Sequence, residues 1–148
     1  MQSSVAVSGD GERWILLNAS PDLRQQVATY RALWPSPPRT SPIHAIVLTD
    51  GEIDHTAGIL LLRESAARLP LYASTAVLGL LSESWPLVPL LAAYAGLEPR
   101  ALRDGAEIGL ADGAGRPLGI SCTSLPIARR PPRYVKPQAA GGFEVALR

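Results

Sequence analysis

One short apolar run, followed by a polar loop, constrains the possible fold of this chain more than any other feature. Residues 43–48 are almost continuous in β-branched and apolar side chains, as expected for a strand that is buried on both faces. An acidic loop follows directly, and residues 53–67 then predict a helix with apolar side chains on one side. Open α/β sheets form their sites at such junctions, outside the carboxyl ends of their strands.

The rest of the chain alternates between predicted strands and helices. Residues 4–8 and 14–18 flank a Gly/Asp turn and predict a β-hairpin, and a helix follows to about residue 33, with Ser20 as its predicted cap. The remaining predictions are strands at 71–73, 107–110, 118–127 and 143–147, and helices at 75–82 and 87–94. This alternation predicts an α/β protein with layered sheets and helices.

Composition narrows the class of protein. Fourteen Lys and Arg residues against thirteen Asp and Glu residues leave a net charge of +1, which favours neither nucleic acid nor an anionic membrane as a partner. The one cysteine, Cys122, excludes an internal disulfide and fits a reducing compartment. With no signal peptide and no apolar stretch of membrane-spanning length in the sequence, we expect a cytoplasmic protein.

The loop after residue 48 concentrates side chains that bind metals. They lie within six residues: Asp50, Glu52, Asp54 and His55. Carboxylates and imidazole are ligands for divalent ions, so the cluster predicts a metal site. An Asp-His pair at the start of a helix is also common as a cap beside a surface residue, and the residues alone leave both interpretations open.

This loop resembles the motif Thr-His-x-His-x-Asp-His-x-x-Gly of metallo-β-lactamase-fold proteins. Four residues keep their register with it: Thr49, Asp54, His55 and Gly58. Asp50 and Glu52 stand where the family has its two leading histidines, which serve one metal while the Asp-His pair serves the second. The resemblance therefore implies a mononuclear site and not a dinuclear zinc hydrolase.

The altered motif and the run Leu-Asn-Ala-Ser-Pro-Asp-Leu-Arg-Gln-Gln at residues 17–26 resemble the coenzyme PQQ synthesis protein B family. The resemblance implies a metallo-β-lactamase-like αββα sandwich, of which residues 1–148 would be a partial domain, the N-terminal half to two-thirds. Family members are longer at both ends, so we expect a truncated chain that lacks a structural zinc segment and a further metal-binding histidine. A bare apolar sheet face and self-association are expected consequences.

The resemblance also implies an activity in pyrroloquinoline quinone (PQQ) biosynthesis. The implied enzyme is an Fe(II)-dependent hydroxylase that uses O2 to oxygenate the tyrosine ring of a Glu-Tyr precursor derived from a peptide. Asp54 and His55 would be catalytic metal ligands, with Asp50 as a further candidate ligand, and another histidine would complete the two-His-one-carboxylate set. Alternatives are a metal-dependent hydrolase, a PQQ carrier that needs neither Asp54 nor His55, and a non-catalytic remnant.

Three other features have simple interpretations. Cys122 is predicted to be a small buried residue, and His44, inside the strand at 43–48, a structural one. The basic patch is predicted to be a solvated loop or a contact for an anionic substrate. It comprises Arg129, Arg130, Arg133 and Lys136 around Tyr134.

Overall fold

The chain forms two β-sheets in a computed structural model. The structure describes residues 4–35, 40–65, 67–94, 96–127 and 130–135, and the backbone of 144–147. The five-stranded sheet has the order β1-β2-β3-β4-β5, in which β1 is antiparallel to β2 and the other neighbours are parallel. Its strands are Val5–Ser8, Trp14–Leu17, Ile43–Val47, Leu69–Ser74 and Leu97–Leu102. The antiparallel three-stranded sheet comprises β6 (Glu107–Ala111), β7 (Pro117–Ile127) and β8 (Glu144–Leu147).

Short helices cover one face of the five-stranded sheet. They are α1 (Leu23–Thr29), α2 (Ile53–Thr56), α3 (Thr75–Glu83) and α4 (Leu87–Leu91), with 3₁₀ turns at Arg31–Leu33 and Ala57–Leu62. Among the described residues no helix has the length and apolar character that crossing a bilayer would require.

Alternate side chains of the five-stranded sheet pack against two different layers. Ile46 and Leu71 join helix residues such as Val77 in one apolar cluster, whereas Val47 and Tyr72 join residues of β6 and β7 in a second. Strand β3 is therefore buried on both faces, as predicted. The layers of helices, five-stranded sheet and three-stranded sheet confirm the predicted α/β sandwich.

The expected bare apolar face of the five-stranded sheet is not found. Ile15, Val47 and Tyr72 on that face are at most 1% exposed, because Leu110 and Leu118 of the second sheet cover them. The expectation assumed that the second sheet comes mainly from chain beyond residue 148, but β6, β7 and β8 already supply it. Self-association stays a prediction.

Local structure departs from the sequence predictions at several places: α1 ends at Thr29 and not near residue 33, and α4 ends at Leu91 and not at residue 94. The helix predicted for residues 53–67 is one α-helical turn followed by a 3₁₀ segment. Ser20 is not a cap: α1 begins after Asp22, and the buried Ser20 hydroxyl has no partner among the described residues. Strand β5 was not predicted; it contains Pro99 and lies at the edge of its sheet, where proline is tolerated.

Candidate metal site

The polar loop leaves the carboxyl end of β3 and folds back on itself through Asp50. This carboxylate is only 6% exposed. Its Oδ1 accepts from the Glu52 amide at 2.9 Å, and both of its oxygens lie 2.7 Å from Nδ1 of His55. Because a carboxylate only accepts hydrogen bonds, this contact places the imidazole proton on Nδ1 and leaves Nε2 with a free lone pair in the neutral ring.

Asp54 lies on the other side of the His55 ring. Its Oδ2 is 3.9 Å from Nε2 of His55, and its side chain is 68% exposed, compared with 23% for His55. Nε2 of His55 and the Asp54 carboxylate therefore lie near each other, and both side chains are accessible to solvent. An imidazole nitrogen beside a carboxylate oxygen fits part of the coordination sphere of a divalent ion.

The sequence predicted Asp50, Asp54 and His55 as metal ligands, and the structure brings all three together. Asp50 lies behind the ring, where it contacts Nδ1, while Asp54 lies beside Nε2. Within the part of the chain that the structure describes, no group of three or more His, Cys, Asp and Glu side chains is arranged to hold a metal ion. A complete coordination sphere on this loop therefore needs ligands in addition to Asp54 and His55.

Asn18, at the end of β2, fixes the start of the loop. Its side chain donates to Thr49 Oγ1 and accepts from the Thr49 amide, each at 3.0 Å. Its own φ is +58°, a conformation that asparagine tolerates better than most residues. This contact was not predicted from the sequence, where its one signal is an asparagine directly after a strand and before a small residue.

The glycine of the motif, Gly58, is required for steric reasons. The Gly58 amide donates to the Ala19 carbonyl at 2.8 Å, and the Ala19 amide donates to the His55 carbonyl at 2.6 Å. A Cβ at position 58 would lie 2.2 Å from the carbonyl oxygen of Ser20. Only glycine lets the segment that carries His55 approach the turn after β2 so closely.

A cavity of about 470 Å³ lies beside Asp54. Its lining residues are Pro21, Glu52, Ile53, Asp54, Arg133 and Tyr134. Burial and the neighbouring Asp50 and Asp54 carboxylates raise the pKa of Glu52. Glu52 and Asp54 thus bring negative charge to the lining of the cavity, which Arg133 shares with them.

Cys122 and His44, which the sequence also singled out, lie away from this loop, whereas Arg133 and Tyr134 of the basic patch lie beside it. Cys122 is buried between the two sheets, as predicted, and burial raises the pKa of its thiol. His44 is half-buried on β3, and loss of solvation lowers its pKa. Of the basic patch, Arg130 and Arg133 are exposed, whereas Arg129 and Lys136 fall outside the described residues.

Comparisons with known proteins place the chain in a family. The family model of the β-lactamase superfamily domain matches residues 13–146. Coenzyme PQQ synthesis protein B of Cupriavidus necator is 44% identical over 136 residues, which are 90% of this chain and 43% of that protein. The protein of the same name from Xanthomonas euvesicatoria is 53% identical over 102 residues, 68% of this chain and 34% of the relative. These matches confirm the resemblance drawn from the sequence motif.

Solved structures give the same result. The crystal structure of Zn²⁺-bound PqqB from Methylobacterium extorquens has a TM-score of 0.75 and 35% identity, and the match covers 99% of this chain and 46% of the other. A diphosphatase of the PhnP family, at 24% identity and a TM-score of 0.61, shares the fold. The chain thus spans less than half the length of these relatives.

Proposed function

The chain belongs to the β-lactamase superfamily, and from this premise we propose that it acts in PQQ biosynthesis through a metal site to which Asp54 and His55 contribute. One observation carries the proposal. Asp50 engages Nδ1 of His55, so that Nε2 is free next to the Asp54 carboxylate. Carboxylates hold metal-binding histidines in this way in many proteins, which fixes both the tautomer and the direction of the ring.

The chemistry that we propose is hydroxylation of the tyrosine ring of a Glu-Tyr precursor derived from a peptide. Asp54 and His55 would hold Fe(II) together with a histidine from chain beyond the described residues. When bound, such an ion leaves coordination positions open for O2 and substrate. Asp50 positions the ring of His55, and the cavity lined by Glu52, Arg133 and Tyr134 is the space next to the reacting groups.

The proposal is tested with Asp54→Ala and His55→Ala, made in this chain and in a chain of the relatives' full length. The matched control is His44→Ala, which removes the other histidine of the sequence. Iron and zinc content after desalting and O2-dependent product formation are measured for each. We expect both site variants of the long chain to lose iron and turnover, since each removes a ligand, and His44→Ala to keep them.

The 148-residue chain is expected to bind Fe(II) weakly, to lose it on desalting and to form no product, because it supplies only part of the ligand set. Hydroxylation by the short chain alone would contradict this partial-site assignment. Normal iron content and turnover in the long His55→Ala variant would contradict the metal site and favour a PQQ carrier instead.

A further inference from the structure

Tyr134 reaches the metal loop from the far end of the chain. Its hydroxyl donates to the carbonyl of Gly51, a residue 83 positions earlier in the sequence. From this contact we infer that Tyr134 is a positioning residue of the metal site, which holds the loop so that Asp50 meets His55. The inference rests on the proposed function, since it assigns a role toward the same metal.

The ring of Tyr134 is itself firmly placed. It packs in a small apolar cluster with Leu80 and Ala76 of α3 and with Val135. A Cβ at position 51 would lie 3.0 Å from Leu80 Cδ1 and 3.1 Å from the Tyr134 hydroxyl. Gly51 is therefore enclosed by the tyrosine and by α3, and its carbonyl has little freedom to move.

The Gly51 carbonyl lies between the two residues that set the direction of His55. Asp50 binds the ring through Nδ1, and the Glu52 carbonyl accepts from the His55 amide at 3.0 Å. Asn18 holds the start of the loop at Thr49. Asn18 and Tyr134 thus hold the backbone directly before and directly after Asp50.

The Tyr134 hydroxyl is suited to act as a hydrogen-bond donor at neutral pH. Burial and the nearby Glu52 and Asp50 carboxylates raise the pKa of Tyr134 to about 12. The hydroxyl therefore keeps its proton at neutral pH and can donate it to the Gly51 carbonyl.

The test is Zn²⁺ binding by the 148-residue chain and its Tyr134→Phe variant, measured by isothermal titration calorimetry. Phenylalanine keeps the ring in its cluster and removes only the hydroxyl. We expect the Kd for Zn²⁺ to rise about tenfold, as for other residues that orient a ligand without touching the metal. A second variant, Gly51→Ala, should raise the Kd in the same direction because its methyl group displaces the hydroxyl.

Tyr72→Phe is the matched control, since it removes another bonded hydroxyl. Tyr72 bonds to Ala111 and Arg100 between the sheets, away from the metal loop. This variant should lower the midpoint of urea unfolding and leave the Kd unchanged.

Two results would overturn the role of Tyr134. One is an unchanged Kd in Tyr134→Phe while His55→Ala loses Zn²⁺ binding, which would leave the metal site intact. The other is an equal rise in Kd for Tyr72→Phe, which would show that general loss of stability is the cause. Unchanged binding in His55→Ala would instead overturn the metal site, and the positioning role with it.

Discussion

Two buried aspartates, Asp50 and Asp112, occupy similar places and do different things. Each follows a strand of the sandwich, and each is almost fully buried, with 6% and 2% of its surface exposed. Asp112 accepts hydrogen bonds from the amides of Ala114 and Arg116 and from Nε of Arg116. These partners of the carboxylate lie within four residues of it, so the turn after β6 satisfies its own buried charge.

Asp50 also accepts from a neighbouring amide, but its main partner is a histidine whose other nitrogen stays open. The surrounding loop is fixed from a distance, by Asn18 and by Tyr134. The two aspartates illustrate a general difference between buried carboxylates. A buried carboxylate whose bonds close within its own turn stabilises the fold, whereas one that orients a half-free imidazole beside a second carboxylate is suited to a site.

The largest effect on stability is expected from alanine substitutions at two glycines, Gly58 in the metal-loop region and Gly113 in the Asp112 turn. A Cβ would lie 2.2 Å from the Ser20 carbonyl at Gly58 and 2.4 Å from the Arg68 carbonyl at Gly113. We expect Gly58→Ala and Gly113→Ala each to lower the free energy of unfolding by about 3 kcal/mol. Only Gly58→Ala should also weaken Zn²⁺ binding, because the Gly58 segment carries His55.

Urea unfolding and calorimetry measure the two effects of these substitutions. Gly79→Ala is the control: Gly79 lies in α3 with open space around it, so alanine should stabilise the chain by up to about 1 kcal/mol. Equal loss of Zn²⁺ affinity in Gly113→Ala and Gly58→Ala would break the distinction between the two turns.

A smaller effect is expected on the pH dependence of stability, and it involves only the Asp112 turn. Burial pushes the pKa of Asp112 upward, but hydrogen bonds from Arg116 and Ala114 outweigh it and hold the pKa below its ordinary value. A lowered folded-state pKa adds stability above the unfolded pKa of about 3.9, and this stability is lost as the pH falls through the folded value. We therefore expect Asp112→Asn to be less stable at neutral pH and to lose less stability on acidification.

Unfolding free energies measured across the acid range test this expectation. Some acid sensitivity should remain in Asp112→Asn, because hydrogen bonds from Arg13 and Glu12 also hold the pKa of Asp10 low. An Asp112→Asn variant whose stability falls with pH as steeply as that of the unmodified chain would contradict the role given to this turn.

Some of these features could be predicted from the sequence, and others could not because they depend on contacts between distant residues. A continuous apolar run and a cluster of candidate ligands identified β3 and the metal loop, because each depends on residues close together in the chain. The support of the loop by Asn18 and Tyr134 depends on contacts across 31 and 83 positions, which no local pattern reports. The 3₁₀ segment after α2 includes Gly58, whose close approach to the turn at Ala19 and Ser20 is likewise not visible in any local pattern.

The tautomer of His55 tests most directly whether Asp50 presents this ring to a metal. Long-range ¹H–¹⁵N spectra at about pH 8, where histidine is ordinarily neutral, would show only two imidazole rings, those of His44 and His55. The predicted result is a proton on Nδ1 of His55, and a shift of its Nε2 signal, but of no His44 signal, when Zn²⁺ is added. A proton on Nε2 of His55, or a Zn²⁺-dependent shift at His44 alone, would contradict the metal site proposed for this loop.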